Sequence, residues 1–290
     1  MSTDYGTHRA TEPSLPPALL EQVLAKLGLE QPPALDLAGL NTVYAAACQR
    51  IPFDNIQKRI WFSTDRSRPV TGGDPAEFFK NWVRHGTGGT CWPTSGALYA
   101  LARALGFRAR RIAGSVIVPD YPRGANHGSV LVTLDGTDYV FDLTFGSFIV
   151  VRLKPGEAAS TETGLHSVEV RPMPNGGHEL SFFIGWTTTA LTFYPESEHD
   201  PVDHAFFLAR YDRASRVGFF NDTLLFRRRF IDSIVTIGRG KKLVIRSDGT
   251  LVKTDLTLAQ RNESLIQEMG LSEEVIARIP PDIMDGVAPF

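Results

Sequence analysis

Residues 85–105 read HGTGGTCWPTSGALYALARAL, a glycine-rich loop followed at once by a helical pattern. Cys91 stands at the junction, where the helix is predicted to begin. The positive end of a helix macrodipole favours a thiolate over a thiol at such a position. The chain has only two cysteines, so this placement makes a cysteine nucleophile the first hypothesis.

The composition is that of a soluble globular protein with one or two domains. The chain has 290 residues, of which 42% are hydrophobic and 21% charged. A net charge of −2 gives no reason to expect nucleic acid or an anionic membrane as a partner. Two cysteines, no apolar core near the N-terminus and no run of about 18 apolar residues predict a cytoplasmic protein without a membrane span.

The predicted elements come in the order helices, strands and a mixed end. After a disordered N-terminus (1–14), helices are predicted as far as Gly106, and Cys91 begins the fourth of them. Short strands follow through Phe193, and further strands between residues 224 and 254 precede a helical tail. Segregated helices and strands indicate an α+β fold rather than a βαβ sheet.

A base and an orienting group for the cysteine lie on a predicted hairpin. His127 precedes one strand and Asp142 lies in its partner strand, with the turn at Asp135-Gly136 between them. The turn folds either residue 129 or residue 131 opposite Asp142, depending on the loop length. His127 is therefore expected near the carboxylate, and a carboxylate inside an apolar strand needs such a partner. The chain order predicts a Cys–His–Asp set.

Each of the three residues also has a structural interpretation. A lone cysteine before a helix is more often a small core residue, and a histidine at a strand end is more often a surface or satisfied core residue. The combination of all three, with the hairpin joining the last two, favours the catalytic hypothesis.

The sequence resembles the arylamine N-acetyltransferase family. The matching segments are Pro52-Phe53-Asp54-Asn55, Gly88-Gly89-Thr90-Cys91, His127 and Asp142-Leu143-Thr144-Phe145-Gly146. The chain departs from the family pattern at Thr87, where the family has arginine, and at Asp54, where it usually has glutamate. Trp92-Pro93 also replaces the usual aromatic-glutamate pair.

The resemblance implies a transglutaminase-like (papain-like cysteine) fold in three parts. A helical bundle (15–108) would carry the nucleophile, a central β-barrel (109–205) would carry the histidine and the aspartate, and an α/β lid (206–290) would close the cleft.

The resemblance also implies the chemistry. Cys91 would take an acetyl or other acyl group from a thioester, usually acetyl-coenzyme A, and pass it to an arylamine or hydrazine by a ping-pong route. His127 would generate the thiolate and Asp142 would hold the imidazole. The expected oxyanion and substrate-binding residues are Phe53, Gly89, Trp92, Gly128 and Phe145. Acetyl-coenzyme A is then a co-substrate, and no permanently bound cofactor is expected.

Other polar features predict no further site. Arg227-Arg228-Arg229 alternates within a strand and is expected on the surface, with contact to donor phosphates as an alternative. The histidines at 166, 178, 199 and 204 show no metal-ligand spacing, so no metal is expected.

Rival functions stay open at this point. Some relatives are amide synthases that use a tethered polyketide chain as acyl donor, and the altered residues around Cys91 suit such a role. A cysteine amidase or hydrolase could use the same three residues, and a non-catalytic scaffold is a further alternative. The sequence leaves open the acyl donor, the acceptor amine and the choice between a monomer and a homo-oligomer.

Overall fold

A computed structural model of the chain describes residues 12–64, 66–117, 124–182, 191–195, 200–217 and 220–283. Helices form most of its first part. These are α1 (Pro17–Leu27), α2 (Leu37–Arg50), α3 (Ile56–Ser63), α4 (Pro75–His85) and α5 (Cys91–Ala104). The limits of α2 are those expected from the sequence. α3 was not predicted, because Ile51–Ile56 reads as a helix end and the short strand β1 (Phe53–Asp54) separates the two helices.

Capping residues account for several helix limits. The Asp36 side chain accepts a hydrogen bond from Gly39 N at 2.8 Å and begins α2. The Asp74 side chain accepts one from Glu77 N at 2.8 Å and begins α4. α4 then ends at Gly86, whose φ of 75° is left-handed and therefore suits glycine.

The middle of the chain forms an eight-stranded antiparallel sheet in the order β5-β4-β3-β2-β9-β8-β7-β6. Its strands are β2 (Arg108–Ile117), β3 (His127–Leu134), β4 (Thr137–Val140), β5 (Val151–Leu153), β6 (Ala159–Thr163), β7 (His166–Pro172), β8 (His178–Phe182) and β9 (Leu191–Pro195). The expected central β-barrel is not closed. Among the described residues the end strands β5 and β6 share no ladder, since the three-residue β5 bonds to β4 alone.

The last part of the chain builds a second sheet, in the order β1-β10-β11-β12-β13. Its strands are β10 (Leu225–Arg229), β11 (Ser233–Gly238), β12 (Lys241–Arg246) and β13 (Leu251–Asp255). β1 joins it from the helical part, with Phe53 opposite Arg227. α6 (His204–Val217) precedes this sheet and was not predicted. The tail contains α7 (Leu258–Glu263), a π-helical turn (Ser264–Glu268) and α8 (Glu273–Ile276).

The main apolar core joins the helices to the first sheet. Its members come mainly from α1, α2, α4, α5, β3 and the segment after β4, and those with no exposed surface include Leu40, Trp82, Leu98, Val130 and Phe141. Burial of each such side chain contributes about 1.5–3 kcal/mol. This core fixes the helix that begins at Cys91 against the strand that begins at His127.

No helix in the described part of the chain is both long and apolar enough to cross a membrane. The predicted part boundaries near residues 108 and 205 stay predictions.

Candidate active site

Cys91 is the first residue of α5, and its side chain is partly exposed. Asp54 holds the loop before it. Asp54 Oδ2 accepts a hydrogen bond from Gly88 N at 2.5 Å, and Asp54 N donates to Gly89 O at 3.3 Å. The Thr90 side chain makes no capping hydrogen bond. No cap therefore neutralises the positive field that the first N–H groups of the helix exert on Cys91.

His127 and Asp142 form a buried hydrogen-bonded pair. His127 Nε2 lies 2.7 Å from Asp142 Oδ2, and the two side chains are 3% and 1% exposed. The hairpin pairs Leu131 with Val140, a register that continues to residue 129 opposite Asp142. This is the first of the two predicted alternatives, and it brings the imidazole and the carboxylate together.

The Cys91 side chain lies close enough to His127 to raise the pKa of the imidazole. Nε2 of the imidazole is bound to Asp142, so a proton exchanged with the thiol would be carried by Nδ1. The helix and the strand are joined beside these groups, where Ser95 Oγ donates to Gly128 O at 2.8 Å. The three residues of the predicted set are therefore neighbours in space.

The charges of the three groups depend on one another. Burial alone lowers the pKa of His127, but the Asp142 carboxylate and the Cys91 thiolate outweigh it and raise this pKa to about 10. Burial raises the pKa of Asp142, but the imidazolium outweighs it and holds this pKa below its ordinary value. The arrangement favours an imidazolium beside the Asp142 carboxylate, and a cysteine next to an imidazolium is a better nucleophile.

Phe53 and Gly89 lie beside the nucleophile loop and form a parallel bridge. The Phe53 ring is 5.9 Å from the Phe220 ring and 5.8 Å from the Arg227 guanidinium. A Cβ atom at Gly89 would lie 2.9 Å from Pro93 Cγ. Only glycine therefore allows the loop to approach α5 this closely.

Trp92, Gly128 and Phe145 surround the imidazole end of β3. The Trp92 ring is 3% exposed and packs edge-on against Phe207 at 5.0 Å, with Gly128 beneath it. The Phe145 ring is 1% exposed and lies 6.0 Å from His127. These contacts are packing contacts, and a substrate-binding role for the three residues stays a prediction.

A cavity beside the nucleophile loop is lined by two buried titratable groups, Asp54 and Lys58. Burial raises the pKa of Asp54 to about 7, although two backbone hydrogen bonds lower it. Burial lowers the pKa of Lys58 to about 8, opposed by the charges of Cys91 and Asp222. The cavity is further lined by Gly88, Gly89, Thr90 and Tyr211.

At position 87, where the family has arginine, this chain has an uncharged threonine. Thr87 is fully buried, and its hydroxyl accepts a hydrogen bond from Gln57 Nε2 at 3.2 Å. Among the described residues no cation forms an ion pair with Asp54, which bonds to the backbone N–H groups of Gly88 and Ile56 instead. The buried carboxylate therefore anchors a loop rather than a side chain.

The two helices that were not predicted bring side chains to the site. α3 carries Lys58, and α6 places Phe207 and Tyr211 in one apolar cluster with Trp92. A signal for α6 was present, because Phe207 and Tyr211 are four residues apart and fall on one helical face. Asp203 also accepts a hydrogen bond from Phe206 N at 2.8 Å, as a helix cap does.

The arginine run in β10 is not on the surface, and the prediction is wrong for two of its three members. Arg227 and Arg229 are 3% and 4% exposed. β10 lies between β1 and β11, and alternate residues of a strand point to the same face. Arg228 is half-buried and donates to the carbonyls of Gln49 at 3.3 Å and Met269 at 3.0 Å.

No three His, Cys, Asp or Glu side chains come together as metal ligands within the described ranges. His166 Nε2 donates to Phe230 O at 3.1 Å, and His178 Nε2 donates to Lys154 O at 3.1 Å. His199 lies outside the described residues.

Comparison with known proteins identifies the family. A sequence model of the N-acetyltransferase family matches residues 36–272. The chain belongs to the arylamine N-acetyltransferase family. An arylamine N-acetyltransferase of Mycolicibacterium smegmatis is 30% identical over 147 residues, which are 48% of this chain and 51% of that protein. Arylamine N-acetyltransferase 2 of Rattus norvegicus is 31% identical over 115 residues, 39% of this chain and 37% of that protein. The chain thus spans about half or less of the length of these curated relatives.

Solved structures of arylamine N-acetyltransferases share the fold over most of the chain. The M. smegmatis structure superimposes with a TM-score of 0.74 at 21% identity, covering 89% of this chain and 96% of that one. The Bacillus cereus structure, described as having a unique Cys-His-Glu catalytic triad, superimposes with a TM-score of 0.71 at 17% identity, covering 88% and 98%. The predicted papain-like, transglutaminase-like architecture is confirmed at this level, without a closed barrel.

Proposed function

We propose that the protein is an acyltransferase in which Cys91 carries an acyl group from a thioester, acetyl-coenzyme A in the simplest case, to an arylamine or hydrazine. One observation carries the proposal: the thiol at the start of α5 lies beside His127, whose Nε2 is 2.7 Å from the buried Asp142 carboxylate. Membership of the arylamine N-acetyltransferase family supports the same reaction class.

The acylation step follows from this arrangement. His127 removes the proton of the Cys91 thiol, and the thiolate attacks the carbonyl carbon of the thioester. When the tetrahedral intermediate collapses, the carbon–sulfur bond to the donor breaks and the leaving thiolate takes the proton from the imidazolium. The products are acyl-Cys91 and the free donor thiol.

The transfer step uses the same groups in reverse. The acceptor nitrogen attacks the acyl-Cys91 carbonyl and gives its proton to His127, and the Cys91 thiolate is the leaving group. Asp142 keeps the imidazole in one orientation and stabilises its protonated form in both steps. The products are an amide or hydrazide and the enzyme in its starting state.

Backbone N–H groups at the start of α5 are the expected donors to the tetrahedral oxyanion. The first N–H groups of a helix have no intrahelical partner, and Pro93 has none to offer. The N–H groups of Cys91 and Trp92 therefore remain as donors, and the helix dipole reinforces them.

Intact-mass measurement with acetyl-coenzyme A tests the proposal. The chain offers a matched pair of cysteines, because Cys48 is buried and burial raises its pKa to about 12. We expect the wild type and Cys48→Ala to gain one acetyl group and Cys91→Ala to gain none. Absence of an adduct with acetyl-coenzyme A and with longer acyl thioesters would contradict the proposal.

The decay of the adduct separates transfer from hydrolysis. An aromatic amine or hydrazine should shorten the lifetime of acyl-Cys91 in proportion to its concentration and give the acylated amine. A lifetime that is the same with and without such acceptors would assign the protein to the cysteine hydrolases instead.

A further inference from the structure

The segment that follows Asp142 is held by a buried arginine from the C-terminal sheet. Arg229 Nη1 donates to Leu143 O at 2.9 Å, and Arg229 Nη2 donates to Thr144 O at 3.0 Å. Both carbonyls belong to the two residues directly after the carboxylate that binds His127. We propose that Arg229 is a positioning residue for the His127–Asp142 pair, an inference that rests on the proposed function of that pair.

The Asp142 turn has little freedom of its own. Thr144 N donates to Asp142 Oδ1 at 2.8 Å, and Phe145 N donates to Asp142 O at 3.3 Å. From the opposite side, the Tyr44 hydroxyl of α2 donates to Asp142 O at 2.8 Å. With the carbonyls of the next two residues held by Arg229, the backbone around the carboxylate is fixed by both the helical part and the C-terminal sheet.

Gly146 allows the guanidinium to approach this turn. A Cβ atom at Gly146 would lie 2.4 Å from Arg229 Nε and 2.5 Å from Arg229 Cδ. Gly146 also has a left-handed φ of 61°, which a side chain would strain. Arg229 therefore fits the turn in two ways. Its N–H groups donate hydrogen bonds to the carbonyls of the turn, and Gly146 leaves space for its side chain.

The geometry of the contact suits arginine rather than lysine. A planar guanidinium presents two donors in a fixed fork, whereas an ammonium is a single point charge on a flexible stem. Arg229 is 4% exposed, so these charge-assisted hydrogen bonds are shielded from water. The titratable and charged groups around it are Tyr44, Cys48, Asp142, His166 and Arg227.

A displaced Asp142 would act on catalysis through His127. Misplacement of a catalytic group by about 1 Å costs on the order of 100-fold in rate. If the carboxylate moves away, the imidazolium also loses its stabilising charge, so His127 gives up its proton at lower pH and Cys91 loses its imidazolium partner. A residue that merely stabilised the fold would not change this pH dependence.

The test uses Arg229→Met and Arg229→Lys, with Arg228→Met as the matched control. Arg228 belongs to the same strand and also donates to two backbone carbonyls, those of Gln49 and Met269, but not to the Asp142 turn. The first readout is the rate of Cys91 alkylation by iodoacetamide between pH 5 and pH 10. The second is the acylation rate with acetyl-coenzyme A, and thermal unfolding reports whether each variant is folded.

We expect Arg229→Met to lower the pKa of His127 and so to shift the balance from thiolate and imidazolium towards thiol and neutral imidazole. This balance changes about tenfold for every unit by which the pKa falls, so alkylation at neutral pH should become slower than in the wild type. The acylation rate should fall by on the order of 10- to 100-fold. Arg229→Lys keeps the charge without the forked pair of donors. Its alkylation profile and acylation rate should therefore lie between those of Arg229→Met and the wild type. The Arg228→Met profile should match the wild type.

Two results would overturn the inference. One is an unchanged alkylation profile in folded Arg229→Met; the other, should that variant not fold, is an unchanged profile in Arg229→Lys. Alkylation needs no acyl donor, so the inference is separable from the proposed function. An adduct on the wild type with unchanged Arg229 variants refutes positioning alone, and altered alkylation profiles without any thioester adduct refute acyl transfer alone.

Discussion

Gly128 lies directly beneath the indole of Trp92, and a Cβ atom at position 128 would fall 2.4 Å from Trp92 Cε3. The indole has little room to move away from Gly128, because the Phe207 ring packs against it at 5.0 Å. β3, which carries His127, can therefore lie this close to α5, which carries Cys91, only because residue 128 is glycine.

Two glycine substitutions beside the same Phe207 ring should have opposite effects. Gly128→Ala overpacks the site and should lower the free energy of unfolding by about 1–3 kcal/mol. At Gly96, inside α5, a Cβ atom would meet Phe207 at an ordinary 3.9 Å. Gly96→Ala should therefore raise the free energy of unfolding by roughly 0.5–1 kcal/mol. Urea denaturation measures both, and equal effects would refute the packing argument.

Asp142→Asn should leave the fold intact and remove most of the acylation activity. The amide cannot stabilise an imidazolium, so the rate of acyl-Cys91 formation should fall by about 10²- to 10⁴-fold. Asp135→Asn is the control on the same hairpin, because Asp135 is exposed and asparagine tolerates its left-handed φ of 47°. Stopped-flow measurement of thiol release gives the acylation rate of each variant. An equal loss of rate in both variants would contradict the role of Asp142 in stabilising the imidazolium.

Asp54 should make the protein less stable as the pH rises from about 5 to about 7. The folded protein, in which the pKa of Asp54 is raised to about 7, keeps a proton that the unfolded chain has lost. The stability linked to this group is present below the ordinary carboxyl pKa and disappears as the pH rises through the folded value. For one such group the free energy of unfolding falls by about 1.4 kcal/mol per pH unit.

Asp54→Asn cannot ionise and should lack this decline. Denaturation at several pH values should show the wild type losing about 2 kcal/mol relative to the variant between pH 5 and pH 7. Asp36→Asn is the control, because Asp36 caps α2 and asparagine caps equally well. Parallel curves for the wild type and Asp54→Asn would show that Asp54 does not hold the extra proton.

Glu12 should stabilise the fold although it lies in the segment predicted to be disordered. Arg111 is 1% exposed, and its Nη2 lies 2.7 Å from a Glu12 carboxylate oxygen that is open to solvent. Glu12→Gln leaves the buried guanidinium without its counter-charge and should cost about 1 kcal/mol, since solvent screens the half-exposed carboxylate. Thermal unfolding measures the change. Glu21→Gln, on the exposed side of α1, should cost less, and an equal loss of stability would argue against the ion pair.

The sequence by itself determined the local parts of this site. Cys91 at the start of a helix follows from the glycine loop and the helical pattern beside it, and α2 was predicted over its observed range because its apolar spacing and its end signals agree. The proximity of His127 and Asp142 followed from one turn, since a two-stranded hairpin brings together residues that are already close along the chain.

Only the tertiary structure decided what surrounds these groups. Arg229 reads as a surface residue because alternation shows which residues share a face of a strand but not what covers that face. Lys58 and Phe207 lie on helices that were not predicted, and their contacts with the site come from elements far apart in the chain. The chain encodes its reactive groups locally, while their charges and spacing depend on long-range packing, which no local pattern records.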